Sequence, residues 1–124
     1  MRILKTYARL FVTDLDTALP VYETLVGAAA DLRFGFERAE LAAVGDFLLI
    51  AGPPDAVDGY RTTAGPVVVD DLAELIAVLT AAGAELTGGP LRSATGEFAY
   101  LRHPDGAHVE YVQWADEVRE RVLG

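Results

Sequence analysis

The sequence predicts an α+β fold made of two copies of a βαβββ module. Three observations support this: short segments in which apolar and polar residues alternate, two amphipathic helical segments that each follow a capping aspartate, and an internal repeat. Val12-x-Asp14-Leu15 recurs as Val69-x-Asp71-Leu72 at an offset of about 57 residues. Because each module has one helix to cover its sheet, one face of each sheet is left for something else to pack against.

The first module begins with an alternating segment, 4–12, that has the residue types of a strand. Thr13-Asp14-Leu15-Asp16 then provides the N-cap chemistry of a helix that we expect to end at Gly27. Proline is tolerated only in a first helical turn, so Pro20 favours a helix start near Thr17. Three strands should follow, at 31–37, 41–44 and 47–51, with Gly45-Asp46 as the turn between the last two.

The second module repeats this order. A strand over Pro66–Val69 leads into a helix that is capped by Asp70-Asp71 and ended by Gly83. A short strand, Ala84–Thr87, should then be broken by Gly88-Gly89-Pro90. The closing hairpin is expected from segments 97–102 and 108–114.

These elements predict a single domain over residues 1–124. Its parts are module one at about 1–52, a linker at about 53–61, module two at about 62–114 and a C-terminal helix at about 115–124. The linker is predicted from its proline, glycine and aspartate content and from its lack of periodicity. The C-terminal segment alternates charges and has only Val118 and Val122 to anchor it.

The composition excludes several classes of protein. With 52% hydrophobic residues the chain is not a disordered protein. Its net charge of −9 disfavours nucleic acid as a partner and mildly favours cationic ones. The absence of cysteine removes disulfides, thiolate metal sites and cysteine nucleophiles. No segment has the apolar run of a signal peptide or a membrane span, so we expect a cytoplasmic protein without membrane partners.

The stretch from Arg102 to Trp114 is the most informative part of the chain. Pro104-Asp105-Gly106 has turn chemistry, because proline presets φ, aspartate tolerates the corner and glycine takes a positive φ. The residues that follow alternate, so His108 and Glu110 share one face of a strand. A carboxylate in the middle of a strand is costly to bury unless something pairs with it. Glu110 is therefore a candidate functional residue.

This ending, His103-Pro104-Asp105-Gly106-x-x-x-Glu110, resembles that of the glyoxalase / bleomycin-resistance / extradiol-dioxygenase proteins, the vicinal oxygen chelate superfamily. The resemblance extends to the repeat and so covers essentially the whole chain. It implies that the two modules curl into a U-shaped mixed sheet that encloses a cavity. It also implies a homodimer, since in this family a second subunit often completes the cavity.

In that family, metal ligands come from the first and last strands of each module. The matching positions here are Tyr7, Ala64, Leu49 or Ile50, and Glu110, so Glu110 is the only family ligand retained. A catalytic transition metal needs about three protein ligands, and we therefore expect no metal and no other cofactor. An alternative is a His108/Glu110 pair completed by Tyr7 or by a group of a partner subunit.

The resemblance and the strand alternation together predict a ligand-binding set, while catalytic residues stay unassigned. The set is Tyr7, Arg9, Phe11, Phe36, Tyr100, Arg102, His108, Glu110 and Trp114. Arg9 lies in mid-strand among apolar residues, where a charge needs a partner. Either it forms a buried pair with Glu110 in place of a metal, or it binds an anionic or carbonyl-bearing ligand while Glu110 binds a cationic one.

Three functions fit these residues. The first is a small-molecule-binding protein with a degenerate metal site, which sequesters an aromatic or cationic compound in the manner of antibiotic-resistance proteins. The second is a metal-dependent lyase, isomerase or dioxygenase of the family that uses Glu110. The third is a structural or regulatory module whose cavity is filled by its own side chains. The missing ligands favour the first and make an enzyme the less expected outcome, and the sequence does not identify the ligand.

Overall fold

The computed structural model describes residues 1–124 and contains nine strands and four helices. In chain order these are β1 (Ile3–Thr6), β2 (Ala8–Phe11), α1 (Leu15–Val26), β3 (Leu32–Phe36), β4 (Ala39–Val44), β5 (Phe47–Ala51), α2 (Pro54–Arg61), β6 (Ala64–Val69), α3 (Leu72–Ala81), β7 (Glu85–Ser93), β8 (Gly96–Arg102), β9 (His108–Trp114) and α4 (Asp116–Leu123). None of the helices combines the length and the apolar character that crossing a membrane requires.

The strands form two mixed sheets in two compact units. The first unit, Tyr7–Arg61, has a four-stranded sheet in the order β2-β5-β4-β3. The second unit, Met1–Thr6 together with Thr62–Gly124, has a five-stranded sheet in the order β1-β6-β9-β8-β7. In each sheet one pair of strands is parallel, β2 with β5 and β6 with β9, and the others are antiparallel. The predicted α+β class and the repeated βαβββ order are confirmed.

Each sheet packs one face against a helix of its own unit. In the first unit, α1 buries Leu15 and Leu19 against β4 and β5. In the second unit, α3 buries Leu72 and Leu75 against the face that carries Leu101. We call these the helix faces. Because side chains alternate along a strand, the residues between these positions belong to the opposite face of each sheet.

Helix α1 begins and ends close to the predicted positions. The Asp14 carboxylate caps it by accepting hydrogen bonds from Thr17 N at 2.9 Å and from Thr17 Oγ1 at 2.8 Å, and Gly27 ends it with a φ of 80°. The prediction of a start near Thr17 was wrong, because the helix starts at Leu15 and contains Pro20. The apolar stripe that α1 buries outweighs the one backbone hydrogen bond that proline cannot donate.

The cap makes the stability of the first unit depend on pH. Hydrogen bonds from the side chain and backbone of Thr17 hold the pKa of Asp14 below its ordinary value. A carboxyl group whose pKa is lower in the folded than in the unfolded state stabilises the fold above the unfolded pKa, and this contribution is lost as the pH falls through the folded pKa. We expect Asp14→Ala to lower the melting temperature by a few degrees at neutral pH and by less in acid.

Calorimetry between about pH 7 and about pH 3 measures this difference. Asp14→Asn is the matched control, since it keeps a capping oxygen but does not titrate. Its melting temperature should lie nearer to that of the wild type at neutral pH. A loss for Asp14→Ala that stays constant across the whole range would show that the cap does not titrate with folding.

The predicted strand 4–12 is in fact two strands, and this prediction was wrong. β1 pairs with β6, where Lys5 lies opposite Val68, and β2 pairs with β5, where Arg9 lies opposite Leu48. The chain passes from the second unit to the first at Tyr7. Alternation along the chain cannot reveal this division, because each half takes its partner from a distant segment.

The segment predicted as an irregular linker, 53–61, contains helix α2. Pro54 is its first residue, where the fixed φ of proline suits a helix and its missing N–H is not needed. The backbone N–H of Ala56 donates to Pro53 O at 2.9 Å, and Val57 is buried. A helix of two turns with one buried residue is too short to produce a recognisable apolar period.

Strand β7 continues through Gly88-Gly89-Pro90, which was predicted to break it. Its pairing with β8 shifts twice, between Leu86 and Gly88 and between Gly88 and Leu91. Gly89 has a φ of 82°, and a Cβ at this position would lie 2.6 Å from the carbonyl oxygen of Phe98. The glycines therefore allow bulges and a close backbone approach within the strand rather than ending it.

Candidate functional site

The closing hairpin presents one polar and aromatic face on the side of its sheet opposite to α3. Tyr100 on β8 lies opposite Glu110 on β9, and Arg102 lies opposite His108. These residues alternate with the helix-face residue Leu101. We call this surface the Glu110 face, and its hairpin residues are Phe98, Tyr100, Arg102, His108, Glu110, Val112 and Trp114.

The Glu110 face changes from exposed to buried along the hairpin. Arg102, next to the turn, is exposed, and His108 opposite it is half-buried. Glu110 is 9% exposed and Trp114, at the other end of β9, is 7% exposed. The carboxylate therefore lies where water is largely excluded, so its electrostatic interactions are stronger than those of a surface glutamate.

His108 is held by a hydroxyl from β7. Its Nε2 lies 2.6 Å from Thr87 Oγ1, and Thr87 Oγ1 also donates to the carbonyl oxygen of Tyr100 at 3.2 Å. The rings of Tyr100 and His108 have centroids 6.0 Å apart and are tilted by 60°. Sequence reasoning missed Thr87, because it placed this residue only at the end of a short strand, Ala84–Thr87, whose partner strand it did not predict.

His103 belongs to the opposite face, as the alternation predicts. Its ring stacks on Tyr111 with centroids 6.0 Å apart, and its Nε2 lies 2.7 Å from the Tyr111 hydroxyl oxygen. Burial raises the pKa of Tyr111, so its hydroxyl stays protonated. His103 therefore connects the turn to the helix face through Tyr111 and does not contribute to the Glu110 face.

Lys5 is a second residue that the sequence did not assign to this face. It lies opposite Val68 on β6, and Val68 lies beside Val112 on β9. Directly paired residues of neighbouring strands share a face of the sheet. The pairing of Lys5 with Val68 and of Val68 with Val112 therefore places Lys5 on the Glu110 face. No local signal could have found it, since the pairing of β1 with β6 joins distant parts of the chain.

Four of the nine predicted site residues belong to the first unit. Arg9 Nη1 donates to the carbonyl oxygen of Tyr60 at 2.9 Å, and the Arg9 guanidinium carbon lies 5.4 Å from the centre of the Tyr60 ring. The guanidinium of Arg61 lies 4.1 Å above the ring of Phe11. Phe36, half-buried at the end of β3, is the third of these residues. The end of α2 thus covers β2, a contact that the linker prediction did not foresee.

Tyr7 is the fourth, and it is 5% exposed. Burial raises the pKa of its hydroxyl above the ordinary value, and the charges of Asp31 and Asp46 raise it further. A phenol has to lose its proton to ligate a divalent metal well. The environment of Tyr7 therefore opposes the role that the corresponding residue has in the family.

The residues at the family's metal positions do not fit a divalent metal. Ala64 has no donor atom, Leu49 is packed in the core under α1, and Ile50 is fully buried and apolar. Tyr7 is kept protonated by burial. No group of three or more histidine, cysteine, aspartate or glutamate side chains among residues 1–124 is arranged to hold a metal ion. Of these positions, only Glu110 has a side-chain oxygen that is ready to ligate a divalent metal.

The sequence matches no protein-family model and no curated protein. Solved structures do resemble it. An uncharacterized protein from Methanosarcina mazei is 38% identical, with a TM-score of 0.87, over 93% of this chain and 95% of that one. Methylmalonyl-CoA epimerase from Mycobacterium tuberculosis is 17% identical, with a TM-score of 0.73, over 95% of this chain and 93% of that one.

A third structure is a variant of Streptomyces coelicolor methylmalonyl-CoA epimerase in complex with 2-nitronate-propionyl-CoA. It is 18% identical, with a TM-score of 0.69, over 93% of this chain and 97% of that one. The likeness to the epimerases extends over almost the whole of each chain and concerns the fold. The repeated βαβββ units agree with it. The chain is thus in one family with the Methanosarcina mazei protein, and it shares its fold with the methylmalonyl-CoA epimerases.

Proposed function

We propose that this protein binds a small cationic or aromatic molecule against the Glu110 face and does so without a metal. The observation that supports this most is Glu110 itself, a carboxylate 9% exposed on the side of the sheet opposite to α3. Tyr100 lies directly opposite it and forms an edge-to-face pair with Phe98 at 5.9 Å. A carboxylate beside aromatic rings suits a flat ligand with a positive end.

The charge of the whole chain supports the same ligand class. At −9, the protein attracts cations and raises their concentration near its surface. Inside a largely dry site, a cation that donates hydrogen bonds to Glu110 gains more than it would in water. Binding of this kind agrees with the bleomycin-resistance type of function in the family, where the bound compound is sequestered rather than converted. A homodimer remains our expectation, and light scattering would measure it.

The charge of Glu110 should decide which ligands bind. With benzamidinium as the probe, we expect saturable binding that Glu110→Gln weakens about tenfold or more, because a hydrogen bond between two charged groups is worth about 1.5–3 kcal/mol. Benzamide, which has nearly the same shape without the charge, should bind the wild type correspondingly less well. Titrations of the wild type and of Glu110→Gln, followed by Trp114 fluorescence, measure the affinities for benzamidinium and benzamide.

Glu97→Gln is the matched control for this experiment. Glu97 lies on β8 opposite Gln113, on the other side of the sheet from Glu110, and it is exposed. The same loss of charge there should leave benzamidinium binding almost unchanged. If both variants weaken binding equally, only the net charge matters and the proposed site is wrong. If the wild type does not bind, a cationic ligand is excluded.

The second candidate is a metal-dependent enzyme of the superfamily with Glu110 as metal ligand and base. It is favoured by the fold neighbours that are methylmalonyl-CoA epimerases, five of them solved with CoA compounds. Its weakness is the poor fit of the metal positions. Thermal unfolding with and without Zn²⁺, Co²⁺, Ni²⁺, Mn²⁺ or Fe²⁺ separates the two candidates. A stoichiometric metal that raises the melting temperature of the wild type but not of Glu110→Gln would favour the enzyme.

A further inference from the structure

Thr87 lies on β7 on the same side of the sheet as the Glu110 face, beside a bulge in the strand. Leu86 lies opposite Leu101, but the next pair along the strands is Gly88 with Tyr100. Two residues of β7, Thr87 and Gly88, therefore oppose the single residue Tyr100. Bulges of this kind turn a side chain away from the position it would have in a regular strand.

Glycine is required to shape this segment. At Gly89, where φ is 82°, an added Cβ would lie 2.6 Å from Phe98 O and 3.0 Å from Ala99 Cα, both of them backbone atoms. Any side chain there would push β7 away from β8. Gly89 thus allows β7 to stay close to β8 just beyond Thr87, whose hydroxyl contacts Tyr100 O and the imidazole of His108.

The hydrogen bonds of Thr87 determine which nitrogen of His108 has the proton. A threonine hydroxyl has one proton to donate, and it has two neighbours here, Tyr100 O at 3.2 Å and His108 Nε2 at 2.6 Å. The arrangement that satisfies both contacts has Thr87 donating to the Tyr100 carbonyl oxygen, which can only accept, and His108 Nε2 donating to Thr87 Oγ1. In the neutral imidazole this leaves the lone pair on Nδ1.

We propose that Thr87 is a positioning residue that holds His108 in the Nε2-protonated form, so that Nδ1 accepts a hydrogen bond from a ligand bound beside Glu110. This inference rests on the proposed function and makes it more specific. Glu110 and His108 Nδ1 are then two acceptors on one face, separated by one residue along β9. Two acceptors at this spacing suit a group with several N–H donors, such as an amidinium or a guanidinium.

The tautomer can be tested without any ligand. Long-range ¹H–¹⁵N correlation spectra of the imidazoles, taken at about pH 8 where an ordinary histidine is neutral, distinguish the two forms. We expect the Nε2–H pattern for His108 in the wild type and in Thr87→Ser, which keeps the hydroxyl. In Thr87→Val, which has the same shape without it, a mixture of both forms should appear. An Nδ1–H pattern in the wild type, or no change in Thr87→Val, would overturn the proposal.

Binding of benzamidinium tests the second part of the proposal, that His108 Nδ1 accepts a hydrogen bond from the ligand. Thr87→Val should weaken it about three- to tenfold, the range for one neutral hydrogen bond, and Thr87→Ser should restore it. Thr80→Val is the control, because Thr80 donates to carbonyl oxygens of α3, away from this face. Unchanged binding in Thr87→Val would refute only the role of His108 in binding the small molecule. An Nε2–H wild type that binds no benzamidinium would refute that role together with the proposed function and leave the positioning by Thr87 standing.

Discussion

Replacing Gly96 by alanine is expected to lower the free energy of unfolding by about 3–5 kcal/mol. Gly96 starts β8 opposite Trp114, and its φ is 152°. An added Cβ would overlap the carbonyl oxygen of Gln113 and would lie 2.9 Å from Ala115 N. These are backbone atoms of the paired strand and its continuation, which cannot move aside as a flexible side chain can. The methyl group can be accommodated only if the hairpin that carries Glu110 opens.

Gly106→Ala separates the clash from the backbone strain. Gly106 also has a positive φ, 95°, but an added Cβ there meets nothing within 4 Å. We expect this variant to lose only about 1–2 kcal/mol, the cost of a non-glycine residue in this conformation. Urea unfolding followed by circular dichroism measures both variants. Equal losses would mean that the close approach of Gly96 to Gln113 does not determine the stability of the hairpin.

Leu101→Ala is expected to have an effect of similar size, about 3–5 kcal/mol, for a different reason. Leu101 is fully buried, with 0% exposed, between β8 and helix α3, where it packs with Leu72 and Leu75. Truncation removes apolar contacts and leaves a cavity that the close-packed core cannot fill. Because this core joins α3 to its sheet, the loss should appear in a single cooperative transition of the second unit.

Leu86 provides the control, since it lies directly opposite Leu101 on the neighbouring strand and is 38% exposed. Leu86→Ala should cost clearly less, about 1–2 kcal/mol, because Leu86 is partly exposed and its truncation leaves no enclosed cavity. Leu101→Met, which nearly conserves volume, should cost less than about 1.5 kcal/mol. If Leu86→Ala and Leu101→Ala were equally destabilising, burial under α3 would not be the cause.

The elements that the sequence predicted well are those determined by local chemistry. The caps at Asp14 and Asp71 accept hydrogen bonds from residues three positions further on, so the whole interaction lies within a few residues. The Pro104-Asp105-Gly106 turn sets the pairing of the strands on either side of it. That pairing, with simple alternation, was enough to place Tyr100, His108 and Glu110 on one face.

The predictions that were wrong concern features set by distant partners. Segment 4–12 has the composition of one strand, and its division at Tyr7 follows only from pairing with β6 and β5. Helix α2 is stabilised by burying Val57 rather than by its own sequence pattern. The Gly88-Gly89-Pro90 segment, expected to end a strand, lies within β7, which pairs with β8 on both sides of two register shifts. In each case tertiary contacts outweighed local preference.

The sequence by itself therefore determined the two-module class, the helix ends and the position of Glu110 on its strand, because each depends on short-range periodicity, capping or turn chemistry. Only the tertiary structure decided what surrounds Glu110. It placed Lys5 on the same face through β6, set the Thr87 hydroxyl against His108 through the pairing of β7 with β8, and laid α2 over Arg9. These arrangements depend on which strands pair and in what register, and residue-by-residue patterns do not contain that information.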